Sequence, residues 1–313
     1  MNPLISILIP AYKALYLKEA ITSCLKQTYS KFEIIIVDDA SPEDLQSIVC
    51  CFNDSRLKYF RNKKNCGATN VVDNWNICLG YSSGDYVMCI GDDDKLLPWC
   101  LDEYVELINK FPDLGLYHAW TELIDEQSNY YDIQAPRPEY ENLYSLLWNR
   151  WNSRDKQYIG DFLFEANILK KNGGFYKLPM AWASDDISAV ISASYKGVAN
   201  TPKICFQYRV SSYTISNSGN NDIKLEATIQ ERNWYDNFLN NRLPKNDIES
   251  KYYQVIMREK GGYFEKKIGF YLGLAIKDSI TNIIKYWRLR KKFNLSSFVF
   301  KYAILIVVKK TLK

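Results

Sequence analysis

The amino-acid sequence predicts an α/β protein built on a doubly wound, mostly parallel sheet, followed by a smaller region and a helical C-terminal extension. Three observations predict it. Short, nearly continuous apolar runs bounded by polar clusters alternate with stretches of helical periodicity through the N-terminal third. Acidic residues stand immediately after two of those runs, Asp38 and Asp39 after one and Asp92 to Asp94 after another. The charge balance then changes sign late in the chain: residues 251–313 hold 15 Lys and Arg against three Asp and Glu, a net +12 in a protein of net +4, which leaves −8 for residues 1–250.

The elements follow in order. Residues 4–9 and 33–37 read as strands buried on both faces. Between them Leu17, Ala20, Ile21, Cys24 and Leu25 recur at the i, i+3, i+4 spacing of one helical face. Ser41-Pro42-Glu43-Asp44 reads as a capping serine, a proline at the first helical position and acids in the first turn, with Leu45, Ile48, Val49 and Phe52 as that helix's apolar face. A third strand at 57–60 leads through a polar turn ending in Gly67 to a helix carrying Val72, Trp75 and Leu79, and 86–90 is the fourth strand. Alternation at this spacing argues right-handed crossovers, and in such sheets ligands lie beyond the carboxyl ends of the strands. Pro10-Ala11-Tyr12, Asp38-Asp39 and Asp92-Asp93-Asp94 are the residues at three of those ends. One aromatic ring and five carboxylates thereby converge on one sheet edge. Like charges that close repel one another, and a cation relieves the repulsion.

Composition narrows the chemistry. With 47% hydrophobic and 24% charged residues the chain is ordinary globular protein. One histidine, His118, excludes any mechanism that needs two imidazole ligands, and its apolar run argues a core or pocket-lining position rather than a catalytic one. The eight cysteines lack zinc-site spacing and read as reduced, buried thiols. Gly80-Tyr81-Ser82-Ser83-Gly84 matches the G-x-S-x-G pattern of a nucleophile elbow, but a helix precedes it and a strand follows, the reverse of what an elbow needs. Residues 1–10 lack the basic start and long apolar stretch of a signal peptide, which predicts a cytoplasmic protein. Nucleic-acid binding has no supporting motif.

At this point the sequence resembles the family 2 glycosyltransferases, whose fold is called GT-A. The matching segments are ISILIPAY (5–12), CLKQTY (24–29), FEIIIVDDAS (32–41), the glycine turn at 65–67 and SGDYVMCIGDDD (83–94), with GGF (173–175) and SDD (184–186) as weaker matches. The resemblance implies a nucleotide-sugar-binding half over 1–115, an acceptor-binding and catalytic-base half over 116–220, and a helical, basic extension over 221–313. It implies an inverting transferase that moves a sugar from a nucleotide diphosphate donor of UDP type to a saccharide acceptor, lipid-linked in a surface-polysaccharide pathway, with Mn2+ or Mg2+ as cofactor. Donor contacts then fall to Pro10, Ala11, Tyr12, Asp38, Asp39, Gly67, Asp92 and Asp93, and metal contacts to Asp94 and Asp92. The catalytic pair is Asp185-Asp186, and counting back from Gly197 favours Asp186 as the base. The family's asparagine after the first-strand tyrosine is Lys13 here, and its Glu-Asp pair is Asp-Asp. Tyr208-Arg209 with Ser211 and Ser212 is similar to a family segment near the active site, and Arg209 reads either as a diphosphate contact or as an exposed strand-end arginine.

Two rival functions remain open on the sequence. A sugar-phosphate nucleotidyltransferase would use a related sheet, but no glycine-rich basic loop follows the first strand. A non-catalytic nucleotide-sugar-binding subunit would have lost carboxylates that are all present. The basic C-terminal stretch reads either as helices packed with a solvated face or as an amphipathic anchor on an anionic membrane surface. Its apolar run at 298–308 is shorter than the roughly 20 residues of a membrane-spanning helix. Residues 121–160 show no clean period and are expected to be acceptor-side loops.

Overall fold

The computed structural model describes residues 2–152, 156–211 and 220–311. It divides into two compact units, Met1–Lys177 with Ser184–Thr214, and Leu178–Ala183 with Ile215–Lys313.

The first unit opens β1 (Ile5–Ala11), α1 (Leu17–Leu25), β2 (Phe32–Asp38), α2 (Leu45–Val49), β3 (Leu57–Arg61), α3 (Val71–Tyr81) and β4 (Tyr86–Cys89). The four strands run parallel in the order β3-β2-β1-β4. β1 and β2 are buried almost throughout, which is why they read as continuous apolar runs rather than alternating ones. Then come β5 (Lys95–Leu96), α4 (Cys100–Lys110), β6 (Leu116–Ile124), β7 (Tyr130–Ile133), β8 (Tyr140–Glu141), α5 (Leu143–Trp151), β9 (Phe162–Glu165), α6 (Ala166–Lys171), α7 (Ser184–Ala193) and β10 (Val198–Arg209). These continue the same sheet as β4-β9-β6-β10-β5, with β9 antiparallel to both its neighbours and β10 parallel to β6. The parts read as 1–115 and 116–220 thus share one sheet, because β9 hydrogen-bonds to β4 on one side and β6 on the other.

Three expectations change. α2 begins later than its sequence signals suggest, and its cap is Asp44, whose carboxylate accepts the Ser47 amide at 3.0 Å. Ser41 is drawn into the strand-end loop instead: its amide donates to Asp38 Oδ1 at 2.7 Å and its hydroxyl to the Tyr12 carbonyl at 2.6 Å. The 121–160 stretch is also more regular than expected. Asn142 caps α5 by accepting the Tyr144 and Ser145 amides, and Leu143, Leu146, Leu147 and Trp151 form its buried face. That cap and spacing were present in the sequence. Lastly, Cys50 and Cys51 are exposed, while Cys24, Cys78, Cys89, Cys100 and Cys205 are the buried thiols.

The second unit contains α8 (Asn221–Asn240), α9 (Asp247–Asp278), α10 (Thr281–Leu289) and α11 (Ser297–Thr311). Among the described residues no helix is long and apolar enough to cross a membrane. α11 lies close against α9 at Gly269 and Gly273, where an added Cβ would meet Tyr302 and Val299 in one case and Ala303 and Ile306 in the other.

Candidate active site

The sheet delivers its acids to one edge, as the alternation implies. β1 ends at Ala11, and the next two amides, Tyr12 and Lys13, both donate to Asp92 Oδ2, at 2.7 and 2.8 Å. The Tyr12 ring is 43% exposed and available to a planar ligand. Pro10 and Ala11 complete the strand beneath it.

Asp38 and Asp39 separate in role. Asp38 is fully buried and structural: it accepts the Tyr59 hydroxyl at 2.7 Å, the Ser41 amide and the Arg61 guanidinium. Asp39 faces the polar turn before α3, accepting Asn62 Nδ2 at 2.8 Å and the Cys66 amide at 3.0 and 3.1 Å through its two oxygens. Its Oδ2 takes the longer of the two amide bonds and, with a second lone pair, can also accept from a ligand N–H. Gly67 follows at φ 81°, a conformation L side chains rarely adopt, so the turn that clasps Asp39 requires glycine there.

The three acids after β4 crowd a loop. Burial, then the neighbouring Asp93, push Asp92 up to about 6. Burial raises Asp93, and burial followed by Asp93 raises Asp94 well above the usual carboxylate range. Asp92 and Asp93, with Lys13, Leu15, Tyr16, Glu43 and Ser211, line a cavity of about 160 Å³. Asp94 lies deeper and accepts the Arg209 amide at 2.9 Å and the Gly91 amide at 3.3 Å. No preformed cluster of three metal-ligating side chains occurs among the described residues. The donor set nevertheless fits a hard divalent cation, since carboxylates raised by mutual repulsion are the groups such a cation relieves.

The Asp185-Asp186 pair opens α7. Asp186 is buried and clamped, accepting Arg150 Nε at 2.8 Å, Arg150 Nη2 at 3.1 Å and Gln157 Nε2 at 2.5 Å. Asp185 is half-buried, and among the described residues no side chain donates to it. Burial, then the Asp186 charge, push it up to about 7. Tyr158 is stacked on Tyr208 with ring centroids 3.7 Å apart.

Arg209 is neither exposed nor turned to the cavity. Its side chain is fully buried, with Nε donating to the Asp93 carbonyl at 2.7 Å. His118 is a core residue on β6, edge-on to Phe162 and 3.4 Å from Asp161 Oδ2. Ser82 closes α3 by donating to Leu79, in keeping with the absence of an elbow. Ser212 lies outside the described residues. Residue reading missed Arg150 and Gln157, which carry no local signal because only tertiary folding brings them to Asp186.

A parallel half-sheet that presents aromatic and acidic groups at its strand ends, continued through an antiparallel strand to a second acidic pair, is the GT-A architecture of glycosyltransferases. The chain belongs to glycosyl transferase family 2, whose sequence profile matches residues 6–171. It is 45% identical over 100 residues to the putative colanic acid biosynthesis glycosyl transferase WcaA of Escherichia coli K12, covering 31% of this chain and 35% of WcaA. Against an uncharacterized glycosyltransferase of Rickettsia typhi it is 31% identical over 142 residues, covering 44% of this chain and 43% of the relative. The match thus spans less than half the length of either relative. A longer alignment, 26% identical over 72% of this chain and 85% of the relative, links it to WfgD of Escherichia coli, a UDP-Glc:α-D-GlcNAc-diphosphoundecaprenol β-1,3-glucosyltransferase. The fold is similar to that of Staphylococcus aureus TarS 1–349 in complex with UDP-GlcNAc (TM-score 0.66, 14% identity, 99% of this chain and 92% of that one). It is also similar to the mannosyltransferase PcManGT of Pyrobaculum calidifontis in complex with GDP-Man and Mn2+ (TM-score 0.56, 14% identity, 99% and 88%).

Proposed function

We propose that this glycosyltransferase is an inverting, metal-assisted hexosyltransferase that moves a sugar from a UDP-sugar to a hydroxyl of a lipid-linked saccharide during surface-polysaccharide synthesis. The observation that carries the reading is the division of acids into two groups: a crowded loop that calls for a cation, and a separate carboxylate, Asp185, to which no side chain among the described residues donates and which burial raises to about 7. The UDP-GlcNAc held by TarS and the lipid-linked acceptor in WfgD's name support the substrate classes.

In this reading Tyr12 stacks on the base, Asp39 accepts its N–H, and the Gly67 turn shapes the pocket floor. A divalent cation, Mn2+ or Mg2+, would be held by Asp92 and Asp93 at the cavity wall with Asp94 as the third charge beneath, and it would neutralise the departing diphosphate. Asp185 takes the proton from the acceptor hydroxyl. That oxygen bonds the anomeric carbon from the face opposite the diphosphate, whose bond to the carbon breaks with its electron pair, and the configuration inverts. What supports Asp185 over Asp186 as the base is hydrogen bonding. Two N–H groups of Arg150 and one of Gln157 already occupy the Asp186 carboxylate, whereas a carboxyl near 7 is matched to proton abstraction at neutral pH.

The test is a UDP-sugar transfer assay beside calorimetry with UDP and Mn2+. Asp185→Asn is expected to bind UDP and Mn2+ like wild type and to lose transfer by on the order of 10²-fold or more. Full activity in Asp185→Asn with loss in Asp186→Asn would return the base to the second acid.

A further inference from the structure

Arg209 closes β10 with a side chain that touches three separate segments of the first unit. Its Nε donates to the Asp93 carbonyl of the acid loop at 2.7 Å. Nη1 donates to the Asp125 carbonyl at 3.0 Å, the Ser128 hydroxyl at 2.9 Å and, more distantly, the Glu126 carbonyl at 3.4 Å, all in the turn joining β6 to β7. Nη2 donates to Glu19 Oε2 of α1 at 3.1 Å, and the guanidinium lies 4.0 Å over the Tyr16 ring. The Arg209 amide meanwhile donates to Asp94 Oδ1. The Ser128 hydroxyl closes the circuit by donating to the same Glu19 oxygen at 2.9 Å, although Ser128 itself takes a left-handed φ of 65°. A planar fork with five N–H donors can serve three directions at once, which a lysine ammonium on a flexible stem cannot reproduce.

The arrangement is costly unless it has a purpose, because a fully buried guanidinium must have its charge compensated. Among the described residues its one carboxylate partner, Glu19, is nearly half exposed, and the rest of the compensation comes from backbone carbonyls of the acid loop and the hairpin turn, the Ser128 hydroxyl and the Tyr16 ring. Those carbonyls belong to the segments that have to hold their mutual spacing if a ligand is to bridge them. The hairpin strand β7 also carries Tyr130 and Tyr131, both exposed by more than 60%. Aromatic faces presented in this way suit a saccharide or another flat, amphipathic surface.

We propose that Arg209 is a positioning residue that locks the acid loop, the start of α1 and the β6–β7 turn into one unit, so that ligand occupancy at the acid loop is transmitted to the hairpin bearing Tyr130 and Tyr131. The proposal rests on the reading of the acid loop as the UDP and metal site. Hydrogen-exchange mass spectrometry of the full chain, with and without UDP and Mn2+, tests both and separates them. In wild type the ligand is expected to slow exchange at residues 91–94 and also at 124–131. In Arg209→Lys the acid loop should keep its protection while the hairpin loses the ligand-dependent part. Transfer should fall through kcat by on the order of 10-fold or more, with donor KM changed only a few-fold, as befits lost alignment rather than lost binding. Ser128→Ala, which removes the hydroxyl that joins Nη1 to Glu19 and leaves the Asp125 and Glu126 carbonyl bonds in place, guards against general destabilisation: it should retain its melting temperature within a few degrees yet show a partial loss of the ligand-dependent protection at 124–131. Ligand-dependent protection of the hairpin that survives in both variants would overturn the coupling. No protection at 91–94 in wild type would instead sink the donor-site reading, and the transmitted signal with it.

Discussion

Asp185 and Asp186 are adjacent in the chain, yet their surroundings give them opposite chemistry. The pair was legible in the sequence as a helix start with two acids. Which one is clamped by side chains was not, because Arg150 and Gln157 reach Asp186 only across the fold. The raised Asp185 also makes a stability prediction. An unfolded aspartate titrates at about 3.9, and burial pushes Asp185 in the folded protein up to about 7. Between those values the folded state holds a proton that the unfolded chain has lost, so the stabilisation is complete below the lower value and disappears as pH rises through the higher one. Asp185→Asn has no such proton to lose. Thermal melts from pH 4 to pH 8 are expected to show wild type losing stability relative to Asp185→Asn, which should be the more stable protein at pH 8. Parallel curves would mean that Asp185 is not raised. The same titration should appear in catalysis with the opposite benefit, kcat/KM rising with pH through about 7 as the base ionises.

At the scale of elements, the glycines of α9 separate helix propensity from packing. Gly261 and Gly262 have nothing within 4 Å of an added Cβ, whereas at Gly273 that carbon would come within 2.8 Å of the Ala303 carbonyl and of Ile306. Alanine at an open helical position is favoured over glycine by about 1 kcal/mol. Overpacking a close helix contact costs about 1–3 kcal/mol. Gly261→Ala is therefore expected to raise the midpoint of urea unfolding and Gly273→Ala to lower it. A rise in both would mean that α9 and α11 do not pack at Gly273 as described. The sequence marks all these residues simply as glycine inside a helix, and only the facing helix distinguishes them. α2 teaches a similar lesson, since Ser41 has the chemistry of a cap but is claimed first by Asp38 and the Tyr12 carbonyl.

For the molecule as a whole, the second unit carries an exposed apolar surface set among basic residues. Ile280, Ile284 and Trp287 recur at helical spacing at and along α10, and Phe298, Leu305 and Val308 do so on α11, all at least 42% exposed. The two helices meet where Trp287 packs edge-on against Phe300 at 5.0 Å, and Arg290 lies 4.4 Å over Trp287. We infer that this face rests on an anionic lipid surface, the acyl boundary accepting the apolar side chains and the headgroups attracting a segment of net +12. Each Lys or Arg near such a surface contributes about 1 kcal/mol, so charge should dominate and binding should weaken with salt. Because α11 packs on α9, substitution is a better probe than truncation: Ile284→Asp with Trp287→Asp should weaken sedimentation with anionic vesicles, while neutral vesicles should pellet neither protein. Negligible pelleting of wild type with both lipids would remove the membrane from the proposal. What the sequence by itself determined is the parallel half of the sheet, the acids at its strand ends and the basic tail, because continuous apolar runs, period-3.6 burial and local charge are written in consecutive residues. What only the tertiary structure decided is the antiparallel insertion of β9, the clamp on Asp186 and the burial of Arg209. Each depends on partners tens of residues distant, whose pairing is set by the packing of the whole fold and leaves no mark in local spacing.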